Sequence, residues 1–423
     1  MVKKRTIINA LLILLFFTAT VPYLAYGVSA IRSGYEVVGG LNASGAQASG
    51  KLGTLFGYCK DVIAIILIGM ILLLKKRIDR NVFTAVIAFV MYGFVGLICS
   101  GHFDLKFLIA GFRTFMYFGV MNLIFMAYSE LMYNYTLMNR LMNLTQSVIV
   151  IQTITVALQV TMSNSWGRFG SGAYRFSGLF PGSGNLGCYS IAVLIFLSIL
   201  NQKYKILGNT LYLVDGILLL FLSVASGTRT CMILVGFCFV YNIFTLYGKF
   251  LRLDKNVILL FFIVTLAVVG SSIMSKIILW TGRGALMDSG GGRIAFFTNM
   301  LSTASPLEMM IGRGIGVGTN ASISMGLQGT QVSDSTINLI FTQFGIIGLL
   351  MGMWYFVKIC KKIYEMNFDY MNISICVIFT LCVMLVVGNL FEHIAMCLYL
   401  VLSYHLLIDF KFDNSVEKEN NNT

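Results

Sequence analysis

The chain has 423 residues, of which 57% are hydrophobic and only 11% are charged, and its formal net charge is +13. A soluble domain carries about 25% charged residues, and disordered chains combine low hydrophobicity with many prolines, whereas this chain has three. The apolar runs are long and unbroken, unlike the alternating segments of about ten residues in a membrane β-barrel. The composition therefore predicts an all-α polytopic membrane protein.

A membrane-spanning helix needs about 20 apolar residues, and we predict about twelve such segments, which make residues 1–410 a single integral membrane domain. The first segment has basic residues before it and Val28-Ser29-Ala30 after it, as in a signal peptide. In a chain with so many spans, an uncleaved helix is the better interpretation. The predicted segments cover residues 7–27, 55–74, 82–99, 104–127, 143–162, 184–201, 209–225, 229–248, 257–280, 337–357, 371–391 and 393–409.

The positive-inside rule places both termini in the cytoplasm, since every short loop that then falls on the cytoplasmic side is basic. Residues 411–423 form a cytoplasmic tail. Three long loops face outward: 28–54, 163–183 and 281–336, the largest, which lies between the ninth and tenth helices. The outward cations are eight Arg and four Lys. Because Arg offers a planar fork for phosphate, this surplus indicates an outer phosphate-binding surface, and membrane topology rather than nucleic acid explains most of the net charge.

The loop 163–183 contains one candidate anion site. Arg175 precedes a turn bracketed by glycines, and Asn185 is a predicted N-cap of the next helix. Free N–H groups at a helix start attract anions, so both residues are candidates for substrate binding; the alternative is an arginine that only bonds loop carbonyls. Arg229, which follows Ser226-Gly227-Thr228 at the outer end of a span, either faces inward or reaches the lipid headgroups.

The largest outer loop carries most of the other candidates. Arg293 follows two glycines, and Arg313 stands in a glycine-rich turn, residues 312–318, that lets backbone approach a phosphate. The glycine pattern is weak support for nucleotide binding, since no strand precedes it. Asp334 and Asn338 stand at the start of the tenth span, where Asp334 is either a general base or a helix cap.

Ionisable residues within or beside spans form a second group of candidates. Arg113 lies about nine residues inside the fourth span and is either functional or paired with Asp61 or Asp104. Glu392 and His393 occupy the outer turn between the last two spans, where they could line the same outer cavity. The nine cysteines include no CxxC, and the outer loops lack an Asp-x-Asp pair, so we expect no disulfide framework and no metal.

Taken in chain order, these segments resemble the O-antigen polymerase and O-antigen ligase superfamily (Wzy and WaaL type). The shared order is R-x-x-G-x-F…N, S-x-x-R, G-x-R…P…G-x-G-x-G and D-x-x-x-N…G-I-x-G, over residues 165–350. The matching residues are Arg175, Gly178, Phe180, Asn185, Ser226, Arg229, Arg293, Pro306, Gly312, Gly314, Gly316, Asp334, Gly345 and Gly348. Two positions depart from the family: Pro181 stands four residues before Asn185 instead of directly before it, and Asp334 stands where ligases carry His, which favours the polymerase branch.

The resemblance implies a GT-C-like fold of about twelve transmembrane helices and a membrane glycosyltransferase of the bacterial inner membrane that needs no metal and no cofactor. Its donor would be a glycan on undecaprenyl pyrophosphate at the extracytoplasmic face, and a chain-length regulator and a flippase would be its protein partners. Asp334, as base for the acceptor hydroxyl, and Arg293, as a fixed cation at the leaving group, would be catalytic. The substrate-binding residues would be Arg175, Asn185, Arg229, Arg313 and Asn338.

Three functions are compatible with these features. The first is a repeat-unit polymerase for O-antigen, capsule or exopolysaccharide, and the second is an O-antigen ligase, with the same chemistry on a lipid A core acceptor. The third is a flippase or transporter of lipid-linked sugar, which should place cations along a cavity within the spans. The concentration of Arg at the outer loops favours an enzyme, and the absence of a P-loop motif argues against an ATP-driven pump.

Overall fold

The computed structural model describes residues 2–24, 50–74, 80–127, 135–162, 168–169, 173–174, 176–251, 298–327, 335–366 and 370–408. Within these residues the only strands are a two-residue antiparallel pair, β1 (Arg168–Phe169) and β2 (Ala173–Tyr174). The helices are α1 (Val2–Thr20), α2 (Gly50–Leu74), α3 (Arg80–Cys99), α4 (Leu105–Ala127), α5 (Tyr135–Met162), α6 (Ser183–Gln202), α7 (Asn209–Ala225), α8 (Arg229–Leu251), α9 (Pro306–Ile311), α10 (Asn320–Ser324), α11 (Thr336–Met366), α12 (Met371–Val387) and α13 (Ile394–Ile408).

In the described part of the chain, five helices are long and apolar enough to cross a membrane. They are Leu105–Phe125, Tyr135–Thr161, Ser183–Gln202, Arg229–Leu246 and Thr336–Glu365. Shorter apolar helices accompany them at Thr6–Thr20, Ile87–Cys99, Asn209–Ala225, Met371–Val387 and Ile394–Ile408. These helices support the predicted all-α membrane protein.

Eleven of the twelve predicted segments coincide with helices in the described residues, and the ninth, 257–280, lies outside them. Three predicted boundaries were wrong by seven residues or more, and one of them is the end of α11, at Met366 instead of residue 357. Helix α1 ends at Thr20 instead of residue 27, because Pro22 cannot continue a helix and disfavours helical backbone in the residue before it. Helix α5 begins at Tyr135 instead of residue 143, because Thr136, Asn139 and Arg140 lower the hydropathy of its first two turns.

Helix α6 lies at the centre of the bundle. It is apolar on every side, and all of its residues from Leu186 to Asn201 are buried, as expected of a helix that is hydrophobic all round. It packs against α7, α8, α12 and α13. The close approach to α8 depends on Gly187, since a Cβ there would lie 2.9 Å from the Cβ of Cys231.

An uncharged polar network joins the second half of α6 to three neighbouring helices. The Nδ2 atom of Asn242 in α8 donates to Ser198 Oγ in α6 (3.1 Å), which also contacts the Tyr212 hydroxyl of α7 (3.0 Å). Asn372 of α12 donates to Asn242 Oδ1 (2.8 Å). Hydrogen bonds between helices are a main source of association in lipid, where the hydrophobic effect between helices is absent. This network therefore holds the bundle together away from the start of α6.

Residues 306–327 of the predicted outer loop pack onto the bundle. Helix α9 contacts α3 and α11, and α10 contacts α4. Between them, a Cβ on Gly314 would lie 2.4 Å from the Leu97 nitrogen, and one on Gly316 would lie 1.9 Å from the Phe107 oxygen. Both glycines have positive φ, +103° and +87°. The glycine-rich turn is therefore required for contact with the backbone of α3 and α4.

Helix α11 is interrupted at Gly345, where φ is +63° and ψ is −161°. The break leaves the last carbonyl groups of the first helical segment without partners inside the helix. Thr342 O and Gln343 O accept instead from the N–H groups of Arg313 (2.8 Å) and Gly314 (3.1 Å). The G-I-x-G segment thus marks a helix break that receives the glycine-rich turn.

Candidate functional site

Four helices begin at the same end of the bundle. Helices α6 and α13 meet there through Asn185 and His393, and α11 meets the turn before α13 through the Thr336 N–H, which donates to Gly388 O (2.9 Å). The first turn of α8 packs against Gly187 of α6. A helix start carries the positive end of the helix dipole. The junction of α6, α8, α11 and α13 is therefore an electropositive end of the molecule.

Asn185 and His393 touch at this end, with Nδ1 of His393 against Oδ1 of Asn185. The prediction that Asn185 caps α6 was wrong: the helix begins at Ser183, and its N-cap is Gly182 in an extended conformation. The Asn185 side chain, in the third helical position, points to the histidine instead. The His393 residue is half-buried, and burial lowers the pKa of its imidazole to about 4, which keeps the ring neutral at physiological pH.

The turn between α12 and α13 is fixed by contacts on both sides. Glu392 accepts from the backbone N–H of Asn320 (2.6 Å) and, through its other oxygen, from the Asn320 side chain. Thr336 Oγ1 donates to Gly388 O (2.7 Å) and accepts from the Leu390 N–H (2.9 Å). The turn therefore joins the start of α10 to the start of α11, directly beside His393.

Ser335 caps the first turn of α11. Its Oγ accepts from the Asn338 N–H (3.1 Å), the usual bond between an N-cap side chain and the third helical residue. Asn338 is buried, and its carbonyl oxygen accepts from the Thr342 hydroxyl (2.7 Å). The capping role considered for Asp334 is thus filled by Ser335, and Asp334 itself lies outside the described residues.

The turn that follows Arg175 is clamped by α5 and α7. Gln159 of α5 accepts from the Gly178 N–H (3.1 Å) and donates to Gly178 O (3.0 Å). The Phe176 N–H donates to Ala225 O at the end of α7 (2.9 Å). The glycine-bracketed turn of the first motif is therefore a rigid part of the bundle, whereas Arg175 lies outside the described residues.

Arg229 is the first residue of α8 and is half-buried. The turn before it is compact, because Ser226 Oγ donates to Ser223 O (2.7 Å) and accepts from the Thr228 N–H (3.2 Å). Gly227 takes the positive φ, +62°, that this turn requires. Arg229 thus adds a full positive charge to a helix start at the same end of the bundle as Asn185.

Arg313 is bound within its own loop. Its Nε atom lies 3.7 Å from a carboxylate oxygen of Glu308, and its Nη2 atom donates to Thr303 Oγ1 (3.0 Å). The N–H groups of residues 312 to 315 and 317 donate to protein carbonyls. The expectation that turn 312–318 cradles a phosphate is therefore wrong for these N–H groups, because they already donate to carbonyl oxygens of the protein.

Arg113 forms an ion pair with Asp61, with Nε 3.1 Å from the carboxylate. The Tyr117 hydroxyl donates to the same carboxylate. Asp104, the other predicted partner, accepts from the backbone N–H of Lys106 (2.8 Å) instead. The predicted pairing of Arg113 with Asp61 is thus confirmed, and the pair joins α2 to α4.

Of the predicted site residues, Asn185, Arg229, Arg313 and Asn338 are described, whereas Arg175, Arg293 and Asp334 lie outside the described residues. Sequence reasoning missed Asn320 and Gln159, since single polar residues of this kind occur throughout the chain. The sequence suggested that Glu392 and His393 line the outer cavity only because they lie in the turn between the last two predicted spans. Among the described residues, no three His, Cys, Asp or Glu side chains are grouped so that they could hold a metal ion.

No protein-family model matches the chain, and no curated protein or solved structure gives a significant match. The likeness to the polymerase and ligase superfamily therefore stays a prediction from the motifs.

Proposed function

We propose that the chain is a polysaccharide repeat-unit polymerase, which transfers a growing glycan from undecaprenyl pyrophosphate to an incoming lipid-linked repeat unit. The observation that carries this proposal is the meeting of Asn185 with His393 and of Asn320 with Glu392, residues 208 and 72 positions apart in the chain. Segments that bear the sequence motifs are thereby grouped around one turn. A glycosyltransferase needs such a joint surface, because donor, acceptor and catalytic groups must meet in one place.

In this proposal the chain crosses the bacterial inner membrane twelve times in a GT-C-like arrangement, with both termini in the cytoplasm. The electropositive end where α6, α8, α11 and α13 begin then faces outward. At the opposite end of α6, Lys203 donates to the carbonyl oxygens of Leu406 and Leu407 (both 2.8 Å). Lys203 at a cytoplasmic end and Arg229 at a phosphate-binding end would agree with the positive-inside rule and with the suitability of Arg for phosphate.

The proposed reaction joins the anomeric carbon of the donor glycan to a hydroxyl oxygen of the acceptor sugar. The bond from that carbon to pyrophosphate breaks, the pyrophosphate leaves with the bonding electrons, and the hydroxyl proton passes to a base. Arg229, with Arg175 and Arg293, would stabilise the charge that develops on the leaving group, as fixed cations do in other enzymes. Asp334 is the base that the sequence predicts, and Arg313 and Asn338 would shape the surface that receives the sugar.

The test is Arg229→Ala in a strain that lacks the gene, with Arg229→Lys beside it. Loss of one charge-assisted contact costs about 1.5–3 kcal/mol, so we expect the Ala variant to lose long polysaccharide. Lys should restore little, since it lacks the bidentate fork. The measurement is the chain-length ladder on a gel, with the amount of inserted protein determined by immunoblot. Arg140→Ala, at the other end of the bundle in α5, is the matched control and should give the normal ladder.

A normal ladder from Arg229→Ala would contradict this role for Arg229, and the deletion strain separates the alternative functions. Without a polymerase, single repeat units still reach the final acceptor. Without a ligase, polymer accumulates on the carrier lipid and none reaches the acceptor. Without a flippase, lipid-linked units stay at the cytoplasmic face, and neither product forms.

A further inference from the structure

His393 is held through one of its ring nitrogens. The Nδ1 atom contacts Oδ1 of Asn185, and because an amide oxygen can only accept, Nδ1 carries the hydrogen in this contact. The Nε2 atom then carries the lone pair of the neutral imidazole. No side chain in the described part of the chain bonds this Nε2 atom. The contact with Asn185 therefore selects the tautomer that can take up a proton.

The imidazole is also fixed in position. The His393 N–H donates to Asn389 O (3.3 Å), and its carbonyl oxygen accepts from the Cys397 N–H (2.9 Å), so the residue is tied to the start of α13. The ring lies against the start of α6, where a Cβ on Gly184 would be 3.9 Å from Cε1. Its neighbour Glu392 is bound to α10. A ring held in this way presents Nε2 in one direction, which is the geometric requirement for a general base.

The charges around the ring are few. Helices α6, α10 and α12 and residues 336–345 of α11 contain no Asp, Glu, Lys, Arg or His. Glu392 on the same turn and Arg229 at the start of α8 lie at this end of the bundle, and α4, which packs against α13, adds Lys106 and Arg113, the latter paired with Asp61. A pyrophosphate bound at this end would favour the imidazolium form and raise the pKa of His393. Proton uptake would then be coupled to the presence of the donor.

We propose that His393 is a catalytic residue that accepts the proton of the acceptor hydroxyl, and that Asn185 is the positioning residue that fixes its tautomer and orientation. This inference rests on the proposed glycosyl transfer. In the step, the hydroxyl oxygen forms its bond to the anomeric carbon while its proton moves to Nε2. The bond from that carbon to pyrophosphate breaks, and its electrons leave with the phosphate oxygen. The imidazolium then returns its proton to water.

The experiment uses the purified full chain in vesicles of phosphatidylethanolamine and phosphatidylglycerol. The substrate is the lipid-linked repeat unit extracted from the deletion strain. Turnover is measured from pH 4 to 9, which extends at least about two pH units to either side of the ordinary pKa of His. His393→Asn keeps an N–H that can donate to Asn185 but has no atom at the place of Nε2. Because a general base contributes about 10²–10⁴ in rate, we expect kcat to fall by at least about 10². His102→Asn, at the turn between α3 and α4, is the matched histidine control and should keep its turnover.

Asn185→Asp provides a second readout, which does not depend on the folding of the His393 variant. A carboxylate can still hold the Nδ1 hydrogen, and it favours the imidazolium form. We expect turnover to persist, with the acidic limb of the kcat profile moved to higher pH. A residue that only packs against His393 would leave the position of that limb unchanged.

Two outcomes would overturn the inference. In the first, the turnover of His393→Asn stays within about threefold of the wild type, a much smaller loss than a general base would give, and Asp334→Asn is inactive. The proton then goes to Asp334, and the proposed function stands. If Asn185→Asp leaves the acidic limb in place, Asn185 does not position the base. Failure of the proposed function itself is distinguishable from both outcomes, because the wild-type protein would then elongate no glycan at any pH in the same assay.

Discussion

The Nε atom of Arg113 lies 3.1 Å from a carboxylate oxygen of Asp61, and this ion pair joins α2 to α4 in the apolar part of the bundle. The side chains are largely shielded, with 29% of Arg113 and 13% of Asp61 exposed. Removal of one partner leaves the other as an uncompensated charge in a medium of low dielectric constant. The loss of one partner therefore costs more free energy of unfolding than the intact pair contributes.

We therefore expect Asp61→Leu to destabilise the protein by about 3 kcal/mol, near the lower end for a broken buried pair. The double variant Asp61→Leu with Arg113→Met removes both charges and should recover more than half of the loss. The measurement is the melting temperature of the detergent-solubilised proteins. A double variant no more stable than Asp61→Leu would show that Arg113 has another essential partner.

The glycine-rich turn gives a second prediction. Gly316 and Gly326 both have positive φ, +87° and +74°, but a Cβ on Gly316 would lie 1.9 Å from Phe107 O, whereas a Cβ on Gly326 would meet no atom within 4 Å. Gly326→Ala should cost only the conformational penalty, about 1–2 kcal/mol. Gly316→Ala adds a clash with the backbone of α4 and should greatly reduce the yield of folded protein. Equal melting temperatures for the two variants would contradict the close contact between turn and helix.

Protonation of His393 should destabilise the protein in acid. The fold lowers the pKa of its imidazole from 6.5 to about 4, so it favours the neutral form. The resulting stabilisation is complete above pH 6.5 and is lost as the pH falls from 6.5 to about 4. The wild-type melting temperature should fall across this window more steeply than that of His393→Asn. Because carboxylates in general titrate in the same acid range, the difference between the two curves is the readout, and parallel curves would contradict the prediction.

The orientation of the bundle can be tested with single cysteines. Ser302 lies in the helical segment 298–303 before α9, Tyr364 lies near the end of α11, and both residues are exposed. In a variant that lacks the nine native cysteines, a membrane-impermeant maleimide should label Ser302→Cys in intact cells. Tyr364→Cys should react only after the membrane is opened. The reverse pattern would place the proposed site in the cytoplasm, where polymerised donor is not presented.

The positions of the helices could be predicted because each apolar run ends at residues that interrupt it. Helix α7 extends from Asn209 to Ala225, as predicted, because Gly208 precedes it and the turn of Ser226 and Gly227 follows it. Hydropathy alone defines such a segment. The same signal fails where a few polar residues lie among apolar ones in a helix that continues, as with Thr136, Asn139 and Arg140 in the first two turns of α5.

The candidate site could be predicted only in part. Asn185 was predicted as a substrate-binding candidate, but its contact with His393 spans 208 positions, and no local pattern encodes a contact of that range. Asp334 and Ser335 are both good helix caps by residue type, so the sequence could not assign the cap to Ser335. Gly345 lies inside a single predicted span, 337–357, and the break there depends on the turn that packs against it.

The interruption of α11 at Gly345 has a consequence for hydrogen exchange. Phe344 O accepts from the Tyr92 hydroxyl (3.0 Å), and the two carbonyls before it hold the amides of Arg313 and Gly314. These amides are protected only while the last turn before the break stays in place. The turn and the first segment of α11 should therefore open as one cooperative unit, with a common rate of deuterium uptake that is faster than that of the buried α6.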